Sequence, residues 1–228
     1  MERGRFDSVS LAGVAVFSAL ATLLAAVSQS LGLNFPVVPY LQFDLGEVAI
    51  IMAFFIFGPF PAVASSVVEF VALMAFGQNA PVGPFLKLFA LVSTVGGMWI
   101  GSRLALTLRT PSVAGVVTLG VVFGSVVRAV VMTVPNYYII VFLYGLQAIE
   151  GILKGPFALV GISLSAQNAL GWILGFTALF NILQLAFVIA LSYAVLRVPH
   201  VSNMKVGGRA PWFVSVTSGK TRSEGAKK

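Results

Sequence analysis

Long apolar runs, separated by short segments rich in glycine, proline or charge, set the rhythm of this chain. The first run covers residues 10–31. The second and third, 45–57 and 61–76, are both short and are joined at Gly58-Pro59, with Pro61 close behind. The fourth covers 83–108 and the fifth 113–134, and 169–198 makes the sixth with its lead-in. A helix needs about 20 apolar residues to cross a hydrocarbon core of about 30 Å, and several runs meet that length. The short alternating segments of a membrane β-barrel are absent. The pattern predicts an all-α membrane protein, a six-transmembrane-helix bundle whose outer loops cap a ligand pocket.

Composition points the same way. Of 228 residues, 58% are hydrophobic and 9% charged, with a mean hydropathy of +0.99, against roughly 25% charged in a soluble domain. The chain has no cysteine and one histidine, His200, just past the last run. Disulfides, thiolate nucleophiles and Cys- or His-rich metal sites are thereby excluded. A net charge of +7 reads as membrane topology rather than nucleic-acid binding. Arg197, Lys205, Arg209, Lys220, Arg222, Lys227 and Lys228 cluster at the C-terminal end, while Arg3, Arg5, Arg103 and Arg109 sit in the N-terminal and inter-helix segments. Six spans with both termini in the cytoplasm put all these clusters inside. Residues 1–198 form the membrane domain, and the basic segment 199–228 is expected to be a disordered cytoplasmic tail. The start is too long an apolar run for a signal peptide.

Residues 135–168 are the difficult stretch. They are apolar at 138–144 but interrupted by Glu150, Gly151, Lys154 and Gly155-Pro156. A seventh span would carry the basic tail outside, so the segment is expected to be an outer loop with one short interfacial helix.

Charges within apolar runs are costly and mark candidate sites. Asp44 and Glu47 head the second run, on the outer side. Glu69 and Arg128 lie about two turns from the outer ends of the third and fifth spans, and equal depth suggests a buried ion pair, either fixing the packing or touching a ligand. Lys87 either snorkels to the headgroups or points into a pocket. Asn136, Tyr137 and Tyr138, with Tyr144 beyond, form either an interfacial aromatic belt or a stacking and amide platform for a flat heteroaromatic ligand. Asn181 and Gln184, three apart, share one helical face that should turn to the bundle. In the first span the Ala15/Ala19 and Ala21/Ala25 spacings create small faces, for packing within the chain or for docking a membrane subunit. Gly58-Pro59 and its short flanking runs read either as a tilted hairpin or as the border of a binding site. No Walker A loop and no nucleophile–base set is present, so the chain reads as a binder rather than an enzyme.

Four passages carry a family resemblance. YLQFDLGEVAIIMAFFIFGP (40–59) resembles the L-x-F-D-x-S-x-x-P…GP passage of S components, the substrate-binding subunits of energy-coupling factor (ECF) vitamin transporters, and most nearly their riboflavin-specific branch. APVGPF (80–85) resembles the stretch before their fourth helix, RAVVMTVPNYY (128–138) the end of the fifth, and FNILQ (180–184) the sixth-helix F-N-x-x-K. The four occur in the family's order.

The resemblance implies a six-helix fold that binds a vitamin from outside, in the cell membrane, with no cofactor. It also implies docking on a transmembrane T component driven by two ATPases, through a small-residue face of the first helix that Ala15 and Ala19 would supply. Asn136, Asn181 and Gln184 fall at positions of polar ligand contacts, beside Leu41, Phe43, Asp44 and Glu47 of the preceding loop. Two departures stand out. The sixth-helix lysine is Gln184, and the family's G-E-L-A-N passage reads Gly83-Pro84-Phe85-Leu86-Lys87, so one lysine is exchanged between facing helices or the ligand differs from riboflavin. The rival readings are an S component for another vitamin or precursor, a membrane enzyme acting on lipids, and a non-catalytic assembly subunit.

Overall fold

The structure, a computed structural model, describes residues 7–77, 79–107, 113–196, 205–208 and 210–216. The bundle is built from seven α-helices: α1 (Ser8–Leu31), α2 (Gly46–Phe57), α3 (Pro59–Phe76), α4 (Val82–Thr107), α5 (Val113–Tyr138), α6 (Leu146–Leu159) and α7 (Ala169–Leu196). Local chemistry sets several ends. Asp7 caps α1 by accepting from the Ser10 amide at 2.8 Å, and Gly32 closes it in the left-handed conformation. Gly58 turns α2 into α3 at φ +100°, and Pro59 opens the new helix where no amide partner is needed.

Among the described residues, five helices are long and apolar enough to cross a membrane; α2 is apolar but shorter. Its 12 residues rise about 18 Å, and residues 49–56 are buried without a break. An arc of α1, α3, α4, α5 and α7 packs in that order or through α2, which touches α1, α3, α4 and α7. The outward faces are apolar rather than charged: Val122, Val126, Val130 and Val134 form an exposed stripe at every fourth residue of α5, the arrangement lipid demands. Close approach of α4 and α5 depends on Gly101, where a Cβ would collide with the Leu119 carbonyl.

Two differences from the sequence reading concern the ends of the bundle. The fifth helix does not stop near residue 134. It runs through Pro135 to Tyr138 and continues as a wider π-helical turn, Ile139–Tyr144, before the expected short helix α6. A chain without water to bond its amides stays helical past a proline. α6 lays Ile149, Glu150, Leu153 and Phe157 inward. Ile149, Leu153 and Phe157 join Phe35, Val38, Ile140 and Ile173 in a second apolar core that anchors loop 32–45.

At the opposite end, part of the expected disordered tail is placed against the bundle. Trp212 packs on Phe54 with ring centroids 5.1 Å apart and Phe213 on Phe55 at 5.8 Å, so both join the apolar core around α2. His200, Arg197 and the last twelve residues lie outside the described set.

Candidate ligand site

The buried polar side chains gather under loop 32–45. Asp44 ends this loop, and its Oδ1 accepts from the Gly46 amide at 2.6 Å, capping α2. Gly46 cannot carry a side chain: a Cβ would lie 2.5 Å from the Ala21 carbonyl and 2.9 Å from both Asp44 Oδ1 and Glu69 Oε1. That glycine lets carboxylates from the loop and from α3 converge.

Lys87, on the first turns of α4, joins them. Its Nζ lies 2.5 Å from Asp44 Oδ2 and 2.6 Å from Glu69 Oε1, so it turns inward rather than to headgroups. Arg128 of α5 faces Glu47 of α2 in a two-pronged pair: Nη1 reaches Oε2 at 2.6 Å and Nη2 reaches Oε1 at 2.9 Å. Its Nε donates to Asn181 Oδ1 of α7 at 2.9 Å.

The expected Glu69–Arg128 pair is therefore corrected. α4 lies between α3 and α5, so Glu69 takes its cation from α4 and Arg128 takes its carboxylate from α2. Three carboxylates and two cations share this region, and Glu69 Oε2 is buried without a partner. Ions removed from water survive only with such partners.

The amides divide into two jobs. Gln184 is fully buried and grips the backbone of Asp44 from both sides: its Nε2 donates to the Asp44 carbonyl at 2.9 Å and its Oε1 accepts from the Asp44 amide at 3.3 Å. The loop is also held by Gln42 Nε2 on the Ser28 carbonyl and by the Leu45 amide on Ser28 Oγ, at 2.9 and 2.8 Å. Asn136 and Asn181 instead line a cavity of about 270 Å³, close to the lower end of the roughly 300–1,000 Å³ range of small-molecule sites.

The cavity also receives Tyr40, Leu41, Asp44, Glu47, Lys87 and Arg128. Tyr40 shows 41% of its surface outward, yet its phenol end is turned in beside Thr177. Burial pushes the phenol up to about 12, against the opposing effect of the Thr177 hydroxyl, so it keeps its proton at neutral pH.

Of the residues singled out from sequence, Leu41, Asp44, Glu47, Lys87, Asn136 and Asn181 meet at this cavity. Phe43 lies behind the wall, packed on Phe35, Phe180 and Phe187, and Gln184 supports the loop from beneath. Tyr137 and Tyr138 turn away, exposed by 38% and 58%; they meet edge to face, and Tyr138 stacks on Phe142. Ala15 and Ala19 are exposed on α1, whereas Ala21 and Ala25 are buried within the bundle.

The sequence reading missed Tyr40, Met132 and Phe180 as lining residues. The spacing of Arg128, Met132 and Asn136, four apart on one face of α5, was the available signal.

A membrane-spanning helical bundle with a capped polar cavity at one end is the architecture of a membrane-embedded small-molecule binder. The family profile described as ECF transporter, substrate-specific component matches residues 9–196; the chain belongs to this family, and so to the transporters. It is similar to the riboflavin transporter RibU of Staphylococcus aureus (strain TCH60), with 27% identity over 136 residues, 58% of this chain and 66% of that protein. Its fold is similar to a solved S component of a bacterial ECF transporter, with a TM-score of 0.59 and 21% identity, covering 82% of this chain and 93% of the other.

Proposed function

We propose that this S component binds riboflavin or a related flavin from the outer side of the cell membrane. It releases the vitamin inward when a T component and two ATPase subunits reorient it. The observation that carries the reading is the cavity itself: it lies beneath an anchored loop and places Asn136 and Asn181, a protonated Tyr40 and the Phe180 ring around one space. Apolar and aromatic groups suit a flat ring system, and carboxamides suit its polar edge. The similarity to a riboflavin transporter supports the same ligand class.

In this reading the end bearing loop 32–45 faces outside and both termini face the cytoplasm, in keeping with the distribution of Lys and Arg. The exposed alanines Ala15 and Ala19 serve the T component, since small side chains allow close helix approach.

Purified protein tests the ligand directly. A yellow preparation with flavin absorbance, or saturable quenching of added riboflavin, is the expected result. A colourless protein that quenches nothing and is thermally stabilised by a different vitamin would replace the flavin with that compound. One observation favours that second reading: position 184 carries glutamine, committed to Asp44, where the riboflavin branch carries lysine.

A further inference from the structure

The hydrogen bonds around Asn181 leave no freedom in how its carboxamide is turned. Arg128 Nε can only donate, so the atom 2.9 Å from it is Oδ1. The Thr177 carbonyl can only accept, so the atom 2.8 Å from it is Nδ2. Oδ1 is thereby engaged, one of the two amide hydrogens is spent inside α7, and the other remains. Asn181 is nearly fully buried and lines the cavity.

Arg128 is itself immobilised. Glu47 grips both terminal nitrogens, and Thr94 Oγ1 lies 3.4 Å from Nη1. Asn136, one helix away, is anchored in the same way, its Nδ2 on the Met132 carbonyl at 2.7 Å, but no donor among the described residues meets its oxygen.

We propose that Arg128, held by Glu47, is a positioning residue that locks the Asn181 carboxamide with its remaining N–H toward the cavity, so that the site selects a ligand presenting a carbonyl-type acceptor to α7. Asn136 supplies the complementary acceptor. The pair suits a lactam-like edge, a C=O beside an N–H, rather than an edge of two donors, because the Asn181 oxygen is already held by Arg128. Arg128 needs no contact with the ligand for this. Its guanidinium is held by Glu47, Asn181 and Thr94, and it acts by excluding the flipped amide. A lysine at 128 keeps the charge opposite Glu47 but lacks the Nε–H that reaches a second partner, so the fork is lost.

The inference rests on the proposed function only in its probe, riboflavin, whose ring carries such an edge. Full-length protein in detergent is titrated by flavin fluorescence quenching, and melting curves are recorded for every variant. Asn181→Asp keeps an oxygen for Arg128 and removes the donor. It is expected to melt no lower than Asn181→Ala and to bind at least as weakly, about 5- to 150-fold below wild type.

Arg128→Lys should cost roughly tenfold, and Arg128→Lys/Asn181→Ala no more than Asn181→Ala alone, because Arg128 acts through Asn181. A purely structural arginine would instead multiply the two losses. That outcome, or wild-type affinity in Asn181→Asp, overturns the proposal. If wild-type protein fails to quench riboflavin, the flavin reading alone falls. The same cycle is then read by thermal shift with biotin or folate, whichever stabilises the wild type, with the same non-additivity expected; stabilisation by neither, or only by thiamine or pyridoxine, which carry no carbonyl, overturns the proposal.

Discussion

Gln184 of α7 holds both the amide and the carbonyl of Asp44, 140 residues earlier in the chain, so the end of loop 32–45 is fastened to the last helix of the bundle. A carboxamide is the side chain that can satisfy a peptide N–H and C=O together. Lysine, which only donates, could not do so. The glutamine at this position thus has a structural explanation in the loop it holds.

Gln184→Ala should loosen the roof of the cavity. Freeing two buried backbone groups costs about 1–3 kcal/mol, and the expected result is faster vitamin release with little change in association rate, measured by stopped-flow quenching. An unchanged dissociation rate would mean that Ser28, Gln42 and Leu45 hold the loop without it.

Lys87 ties Asp44 and Glu69, and its removal leaves two carboxylates facing each other. Lys87→Met should destabilise the protein by about 3–5 kcal/mol, the usual cost of breaking a buried pair. Adding Glu69→Gln and Asp44→Asn should recover part of that loss, because unpaired charge rather than lost contact is the larger penalty. Melting temperatures of the wild type, Lys87→Met and the triple variant decide this. A triple variant less stable than Lys87→Met would refute it.

Replacing Ala15 or Ala19 with leucine should abolish uptake in cells that contain the energising subunits and leave vitamin binding near wild type. Both alanines are exposed, so added bulk interferes only with a docking partner. Parallel loss of binding and uptake would remove these positions from a docking role.

Cysteines introduced at Ser165 and Ser218 of this cysteine-free chain report its orientation. An impermeant thiol reagent outside intact cells should label the first and spare the second. Labelling of position 218 alone would invert the proposed topology.

Trp212→Ala should lower stability by about 1.5–3 kcal/mol, the scale of burying one large apolar side chain. Trp212 covers Phe54 and lies against Gly58, where a Cβ would come within 2.9 Å of the indole. Because this contact is at the end of the bundle away from the cavity, riboflavin affinity should stay within about twofold, a shift of less than 1 kcal/mol. An unchanged melting temperature would show that the aromatic contact adds no stability.

The apolar runs alone determined six of the α-helices, their order and most of their boundaries, the end of α5 excepted, because a chain in hydrocarbon must satisfy its amides locally and must be long enough to cross. They also located the charged head of α2 and the amides of α5 and α7 that line the cavity. What they could not contain is which helix stands beside which. Glu69 and Arg128 have matching depth, yet α4 separates their helices, so their partners are Lys87 and Glu47. Asn181 and Gln184 share one helical face, yet a few ångströms of height turn one to the cavity and the other to the backbone of Asp44. Trp212 and Phe213, read as part of a polar tail, found the aromatic end of α2. Local hydrogen bonding and apolar length are properties of a single segment and are written along the chain. Pairing of charges and amides is a property of lateral neighbours, and only the packed bundle decided it.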